Sequence, residues 1–415
     1  MKCIEIKDVL VRKNTVNISF EVGEDLKKYF KDNKLTITYT VNESDLNLEN
    51  VPISILVVPL ICNILPIIWI TDGILYIDEI DEDFYKSINE FKKGYIEMYP
   101  QIDFLGDIKV KKIIKYEPIT KGRSATFFSG GVDAYCTLAR HIDENPDLLS
   151  IWGSDIPYDD KNGWKTLQAN LFDEAKKLEL DFIIIHSSFR KMLDESVLDK
   201  DFKLILKDNW WHGIQHGIGL IGHAAPCNFL RGVTTQYIAA SFWPDINITC
   251  ASWPSIDNFV KYCGCQTIHD AFISRQEKIK IIIEKHYEKN LPINLHVCWQ
   301  TTTGKNCCKC EKCCRTIMEL IVEGEDPNSY GFSVNSKILF WCKWRSILKF
   351  DYDFVTIPYW NAIKNRFIMN KQILRNKNNY RYINWIEDFD FENPDKNMYR
   401  RIYRVLRKIK RKIFN

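Results

Sequence analysis

From Ala125 onward the chain alternates short apolar runs with amphipathic stretches. ATFFS (125–129) reads as a strand and YCTLARHI (135–142) as a helix. LLSIWGS (148–154) is again strand-like, and WKTLQANLFDEAKKLEL (164–180) lines up Leu167, Leu171, Ala175 and Leu178 on one helical face. DFIIIHSS (181–188) is an unbroken apolar run, as a strand buried on both faces would be. A helix through 210–225 and a strand at YIAAS (237–241) continue the rhythm. The alternation predicts an α/β fold: a parallel sheet flanked by helices.

The pattern changes on either side. Residues 1–118 read as an N-terminal α+β domain, with strands at LTITYTV (35–41) and ILYIDEI (74–80). A helix follows, carrying Phe84, Ile88, Phe91 and Ile96, with Asp81 or Asp83 as its cap. Val51–Ile70 is the most apolar segment, but Pro52, Pro59, Pro66 and Asn63 interrupt it and Asp72 closes it. It is read as buried strand and turn pieces, with no membrane span. Residues 119–330 hold the α/β alternation. Residues 331–415 form a C-terminal helical extension ending in MYRRIYRVLRKIKRKIFN, with nine Lys or Arg between Lys396 and Lys412. Ile402, Val405, Ile409 and Ile413 can share one face of that basic helix. It is read as packing that face on its own domain; contact with nucleic acid or anionic lipid is the other reading.

Composition narrows the class. At 46% hydrophobic residues the 415-residue chain has ample core material, and a net charge of +3 implies no polyanionic partner by itself. The N-terminus lacks the apolar h-region of a secretory signal, so the expected compartment is the cytoplasm. Six of the fourteen cysteines fall between Cys298 and Cys314, and such a cluster asks for a metal.

Two motifs carry chemistry. In FFSGGVDA (127–134), small residues stand where a strand ends and a helix begins. Unpaired N–H groups at the helix start and the helix dipole favour an anion there. Gly130 and Gly131 admit phosphate oxygens to the backbone, Ser129 offers a hydroxyl, and Asp133 is a candidate Mg²⁺ ligand. The Walker A pattern is absent from the sequence. In HVCWQTTTGKNCCKCEKCCRTIM (296–318), Cys298, Cys307, Cys310 and Cys313 form C-x8-C-x2-C-x2-C, four thiolates for a closed tetrahedral Zn²⁺ site. An iron–sulfur cluster is the competitor, but the ferredoxin run needs a cysteine where Ile317 stands.

FFSGGVDA resembles the SGGxDS loop of the PP-loop ATP pyrophosphatases, with Ala134 in place of the final serine. Losing that hydroxyl costs about 1–3 kcal/mol of phosphate binding. Both motifs in this order, with HDAFISRQEKI (269–279) between them, resemble 7-cyano-7-deazaguanine synthase of the queuosine pathway and its relatives over roughly residues 124–320. The chain is expected to be a divergent relative with an adenine nucleotide alpha hydrolase-like domain. The resemblance implies that ATP is split to AMP and pyrophosphate. A small-molecule carboxylate or amide is thereby adenylated for attack by an amine or ammonia. It implies Ser129, Gly130, Gly131 and Asp133 as nucleotide contacts. Ser129, Asp133 and Arg275 are the expected catalytic residues, Lys278 is a further candidate to neutralise phosphate, and Gly153 and Ser154, at the end of the strand 148–154, are expected to line the nucleoside. The four cysteines would hold Zn²⁺. A binding protein that keeps nucleotide without turnover, or an RNA-modifying protein using the basic tail, are the alternatives.

HGIQHGIGLIGH (212–223) contains Gly217-x-Gly219-x-x-Gly222. No buried strand precedes it, so a dinucleotide fingerprint is rejected. It is read as a helix whose glycines permit close packing. His212 and His216 sit one turn apart, and packing histidines are the preferred reading over a substrate or metal contact.

Overall fold

The computed structural model describes residues 1–117, 122–246, 248–298, 300–301 and 305–414, with side chains to 409 in the last helix. The strands are β1 (Cys3–Arg12), β2 (Thr15–Val22), β3 (Lys34–Val41), β4 (Ser44–Asp45), β5 (Ile74–Asp81), β6 (Asp107–Ile114), β7 (Arg123–Phe127), β8 (Asp147–Trp152), β9 (Phe182–Ser187), β10 (Val233–Ala239), β11 (Lys261–Tyr262) and β12 (Cys265–Asp270). They form one sheet in the order β11-β12-β10-β7-β8-β9-β3-β2-β1-β5-β6, with β4 beside β3.

The run β12-β10-β7-β8-β9 is parallel throughout, and helices cover the sheet. Its strands are apolar on both faces, as in β9, where Phe182, Ile183, Ile184 and Ile185 are all buried. Chain order reverses at β7. β8 and β9 step away on one side, whereas β10 and β12 lie on the other. Such a switch point splays the following loops apart and leaves a crevice at the carboxyl ends of the strands.

The predicted 118/119 boundary falls on residues outside the described ones, 118–121. The hydrogen-bonded sheet passes between the two regions without a break: β3 pairs antiparallel with β9, Tyr39 opposite Ile185. Leu35, Ile37 and Tyr39 point into the shared core, and Tyr39 donates to the carbonyl of His223 at 2.9 Å.

Val51–Ile70 corrects the expectation of strand and turn pieces. It forms the helices Ile53–Leu56 and Val58–Thr71, the second buried over almost its whole length. Pro59 lies in its first turn, where no intrahelical N–H bond is lost; Pro66 sits inside it. A helix apolar all round has no period to read. Among the described residues no helix is long and apolar enough to cross a membrane.

The C-terminal residues build a second core around the helix Glu311–Val322, to which Trp360, Phe367, Ile386 and Phe391 contribute. The last helix, Met398–Phe414, departs from the expected packing: of the predicted face Ile402, Val405 and Ile409 are each about half exposed, as is neighbouring Leu406, and the side chain of Ile413 lies outside the described ones.

Candidate active site and metal centre

The loop after β7 turns at Gly130, whose φ of +75° an L side chain rarely adopts. A Cβ there would also press on Leu171 at 3.1 Å. Gly131 caps the helix Val132–His141 without a side-chain acceptor, so the first N–H groups of the helix lack intrahelical partners. Ser129 is exposed beside them. Ala134 is buried.

Asp133, in the first turn, is held by two cations. Lys278 Nζ donates to Oδ1 at 2.8 Å and Arg275 Nη1 to Oδ2 at 3.0 Å. Both come from the helix Arg275–Lys289, which starts at a capping box: Ser274 Oγ accepts from the Glu277 N–H, and the Glu277 carboxylate accepts from the Ser274 N–H. Arg275 also reaches Glu319 at 3.3 Å, and buried Lys278 donates to the carbonyl of Ala240, just past β10. Burial would raise the Asp133 pKa, but Lys278 and Arg275 outweigh it and hold the carboxyl below its usual range.

More positive charge surrounds this pair. Lys312 lies within electrostatic reach of Asp133, Arg275, Arg315 and Asp155. The Arg315 guanidinium stacks on Tyr359, 4.0 Å from its ring centroid, and pairs through Nε with Glu311 at 3.0 Å, while its buried Nη1 has no hydrogen-bond partner among the described residues. His296 donates its backbone N–H to the Gly130 carbonyl at 2.7 Å, and its buried Nε2 has no hydrogen-bond partner among the described residues. Sequence reading missed His296, Lys312 and Arg315, because nothing in the linear spacing sets them beside the loop.

Gly153 follows β8 with φ +110°, and a Cβ there would collide with the Ser187 carbonyl. Ser154 Oγ instead donates to Ile151 O at 2.8 Å, and Arg190 fixes the Ser154 carbonyl at 2.8 Å. Trp152 stacks on His186, with ring centroids 3.6 Å apart. The loops after β7 and β8 therefore stand at one edge, while Lys278 ties the loop after β10 to Asp133.

The glycines of 217–222 lie inside a helix (His216–Ile221) and at its end. A Cβ on Gly219 would meet Asn63 Oδ1 at 2.8 Å, and one on Gly222 would meet Cys62 Sγ at 2.6 Å, so they allow close packing on the helix Val58–Thr71. Before them, Trp211–Gln215 is a single π-helical turn.

Cys298, Cys307, Cys310 and Cys313 converge as their spacing predicts, with ligand atoms all within 4.8 Å of one another. Cys307 and Cys313 have sulfurs 3.8 Å apart. This matches the edge of about 3.8 Å for a tetrahedron with Zn–S near 2.3 Å. Cys308 takes φ +52°, which turns the chain so that Cys307 Sγ accepts N–H bonds from Lys309 and Cys310, each at 3.3 Å. Cys310 caps the helix Glu311–Val322 and accepts from Cys313 N at 3.4 Å. Backbone donors and a helix N-terminus favour thiolates, the form a metal ion takes. The group can hold a metal ion such as zinc, and four protein ligands leave no open position.

No family model matches the chain, and no curated protein matches it.

Proposed function

We propose that the chain is an ATP-dependent adenylating enzyme of the PP-loop kind. One observation carries this reading: a glycine loop opening a helix at the switch point, faced by Arg275, Lys278, Lys312 and Arg315. Fixed cations and unpaired N–H groups suit a pyrophosphate, whose charge grows as it leaves. Ser129 and the N–H groups near Gly131 hold the phosphates, and Arg275 and Lys278 neutralise the departing pyrophosphate. The backbone at Gly153 and Ser154 borders the nucleoside. Asp133 keeps the two cations in position; serving as a Mg²⁺ ligand requires it to release one of them. Mg²⁺, when bound, shields charge between the phosphates. The activated group is a small-molecule carboxylate or amide oxygen, attacked next by an amine or ammonia.

A second reading is a nucleotide-binding protein without turnover. It is favoured by Ala134, whose buried methyl offers phosphate no hydroxyl. Pyrophosphate release from ATP and Mg²⁺ with a panel of carboxylic acids separates the two, wild type beside Asp133→Ala. Release in the wild type, lost in the variant, establishes adenylation. Tight ATP binding without release from any acid leaves the binding protein. Absence of nucleotide binding rejects both.

A further inference from the structure

The last helix is tied down by its polar side. Met398, Ile402, Val405, Leu406 and Ile409 fall within about 100° of arc on Met398–Phe414, at about 100° per residue. Each is 48–60% exposed. Arg400 and Arg404 lie about 150–170° round the helix from the middle of that arc. Arg400 is buried, donates to the Ile347 carbonyl at 3.1 Å and lies over Tyr352, and both arginines pair with Asp351 and Asp395. A surface helix ordinarily turns its apolar stripe to the core and its charges to water. Here the anchoring arginines hold the stripe outward.

The exposed surface continues onto a second helix, Ser336–Leu348. Tyr399 packs edge-on against Trp344 of that helix, with ring centroids 5.4 Å apart. Phe340 meets Trp344 at 6.2 Å and Trp341 at 5.6 Å. Phe340 and Trp341 are themselves about half exposed, and Lys337, one turn earlier, is exposed. Cations border the stripe. Residues 398–415 contain eight Lys or Arg and no Asp or Glu. Arg401 and Lys408, both exposed, flank it on the Val405 side.

We propose that this surface docks on the anionic face of a lipid bilayer. The helix lies in the plane of the interface, its apolar stripe at the acyl boundary and its flanking cations among the headgroup phosphates. Trp341 and Tyr399 have the apolar body and polar tip that suit headgroup depth. The docking is independent of the adenylation reading. Charge and apolar surface together select the bilayer over the other occupants. A nucleic acid would neutralise the cations and leave the stripe in water. A second copy would cover the stripe, but would bring two rows of like charge together with no acidic residue of the helix to offset them.

The test is co-sedimentation of the full chain with phosphatidylcholine vesicles, with and without ~30 mol% phosphatidylglycerol, at low and high salt. Expected is at least ~tenfold stronger partitioning onto the anionic vesicles, weakening severalfold between ~50 and ~300 mM salt. The double variant Leu406→Gln with Ile409→Gln keeps every charge and should partition ~tenfold less onto the anionic vesicles. Trp341→Ala should weaken partitioning severalfold. All three side chains are half exposed, so thermal denaturation should show both variants folded as wild type. No partitioning onto anionic vesicles overturns the proposal, as does equal partitioning onto neutral ones. Undiminished partitioning of the double variant would mean that charge alone holds the chain, the behaviour of a polyanion binder, and overturns it too. A dimer in size-exclusion chromatography that ignores vesicles and dissociates in the double variant assigns the stripe to a second copy instead.

Discussion

Asp133 and Lys278 form an ion pair at 2.8 Å across 145 residues of sequence, with the lysine side chain wholly buried. Arg275 completes the pair from the other carboxylate oxygen. Removing one partner of a buried pair strands the other charge, at a cost of about 3–5 kcal/mol. Asp133→Asn should therefore lower the stability of the whole chain as well as its activity. The folded carboxyl titrates below the ordinary aspartate value, so its contribution is complete above that value and lost as pH falls through the lowered one. In urea denaturation the gap between wild type and variant should be equal at pH 7 and pH 5.5 and shrink only below pH ~4. A gap that closes by pH 5.5 would contradict the pairing.

The tetracysteine group predicts one zinc per chain. Metal-ligand bonds form with folding, so chelation should unravel the second core, which packs on the helix Glu311–Val322. Elemental analysis of the purified chain should give one zinc. Cys310→Ser should lower that content and expose Trp360 fluorescence to quenching by iodide. Iron with acid-labile sulfide in place of zinc would instead identify a cluster.

Some of this was legible in the sequence and some was not, for physical reasons. The glycine loop and the cysteine knuckle are local, so their geometry is written in consecutive residues. The alternating strands from Ala125 were readable because each is a short apolar run bounded by a turn. Val58–Thr71 was not, because a helix buried on every side gives no amphipathic period. The continuity of the sheet through β3 and β9 was equally hidden, since a strand does not name its partner.

His223 should impose a pH dependence on stability. It is fully buried, its Nδ1 2.5 Å from the Gly219 carbonyl and its Nε2 2.7 Å from Ser187 Oγ. Burial pushes its pKa down to about 4, only partly offset by the Gly219 carbonyl. The unfolded chain therefore binds this proton more readily than the folded one. The contribution is complete above pH ~6.5 and lost progressively toward pH 4, about 3 kcal/mol in all. His223→Gln should lose less stability between pH 7 and pH 4.5 than wild type, measured by urea denaturation at each pH. An identical loss in both would show that His223 titrates normally.

The last helix should be anchored at its base alone. Arg400 is 1% exposed; it donates to the Ile347 carbonyl at 3.1 Å and to Asp395 at 3.2 Å, and its guanidinium lies over Tyr352. Beyond it, Ile402, Val405, Leu406 and Ile409 are half exposed, and the ion pairs of Arg404 reach exposed aspartates that contribute little. Deleting residues 405–415 should change stability by less than about 1 kcal/mol, whereas Arg400→Ala should cost about 2–3 kcal/mol through the buried Ile347 carbonyl it leaves unpaired and the packing on Tyr352 it removes. Thermal denaturation of the two variants decides. A truncation as damaging as Arg400→Ala would mean that the apolar face is held against the chain, as the sequence had suggested. A truncation without effect leaves that basic, apolar face available for a partner and independent of the fold.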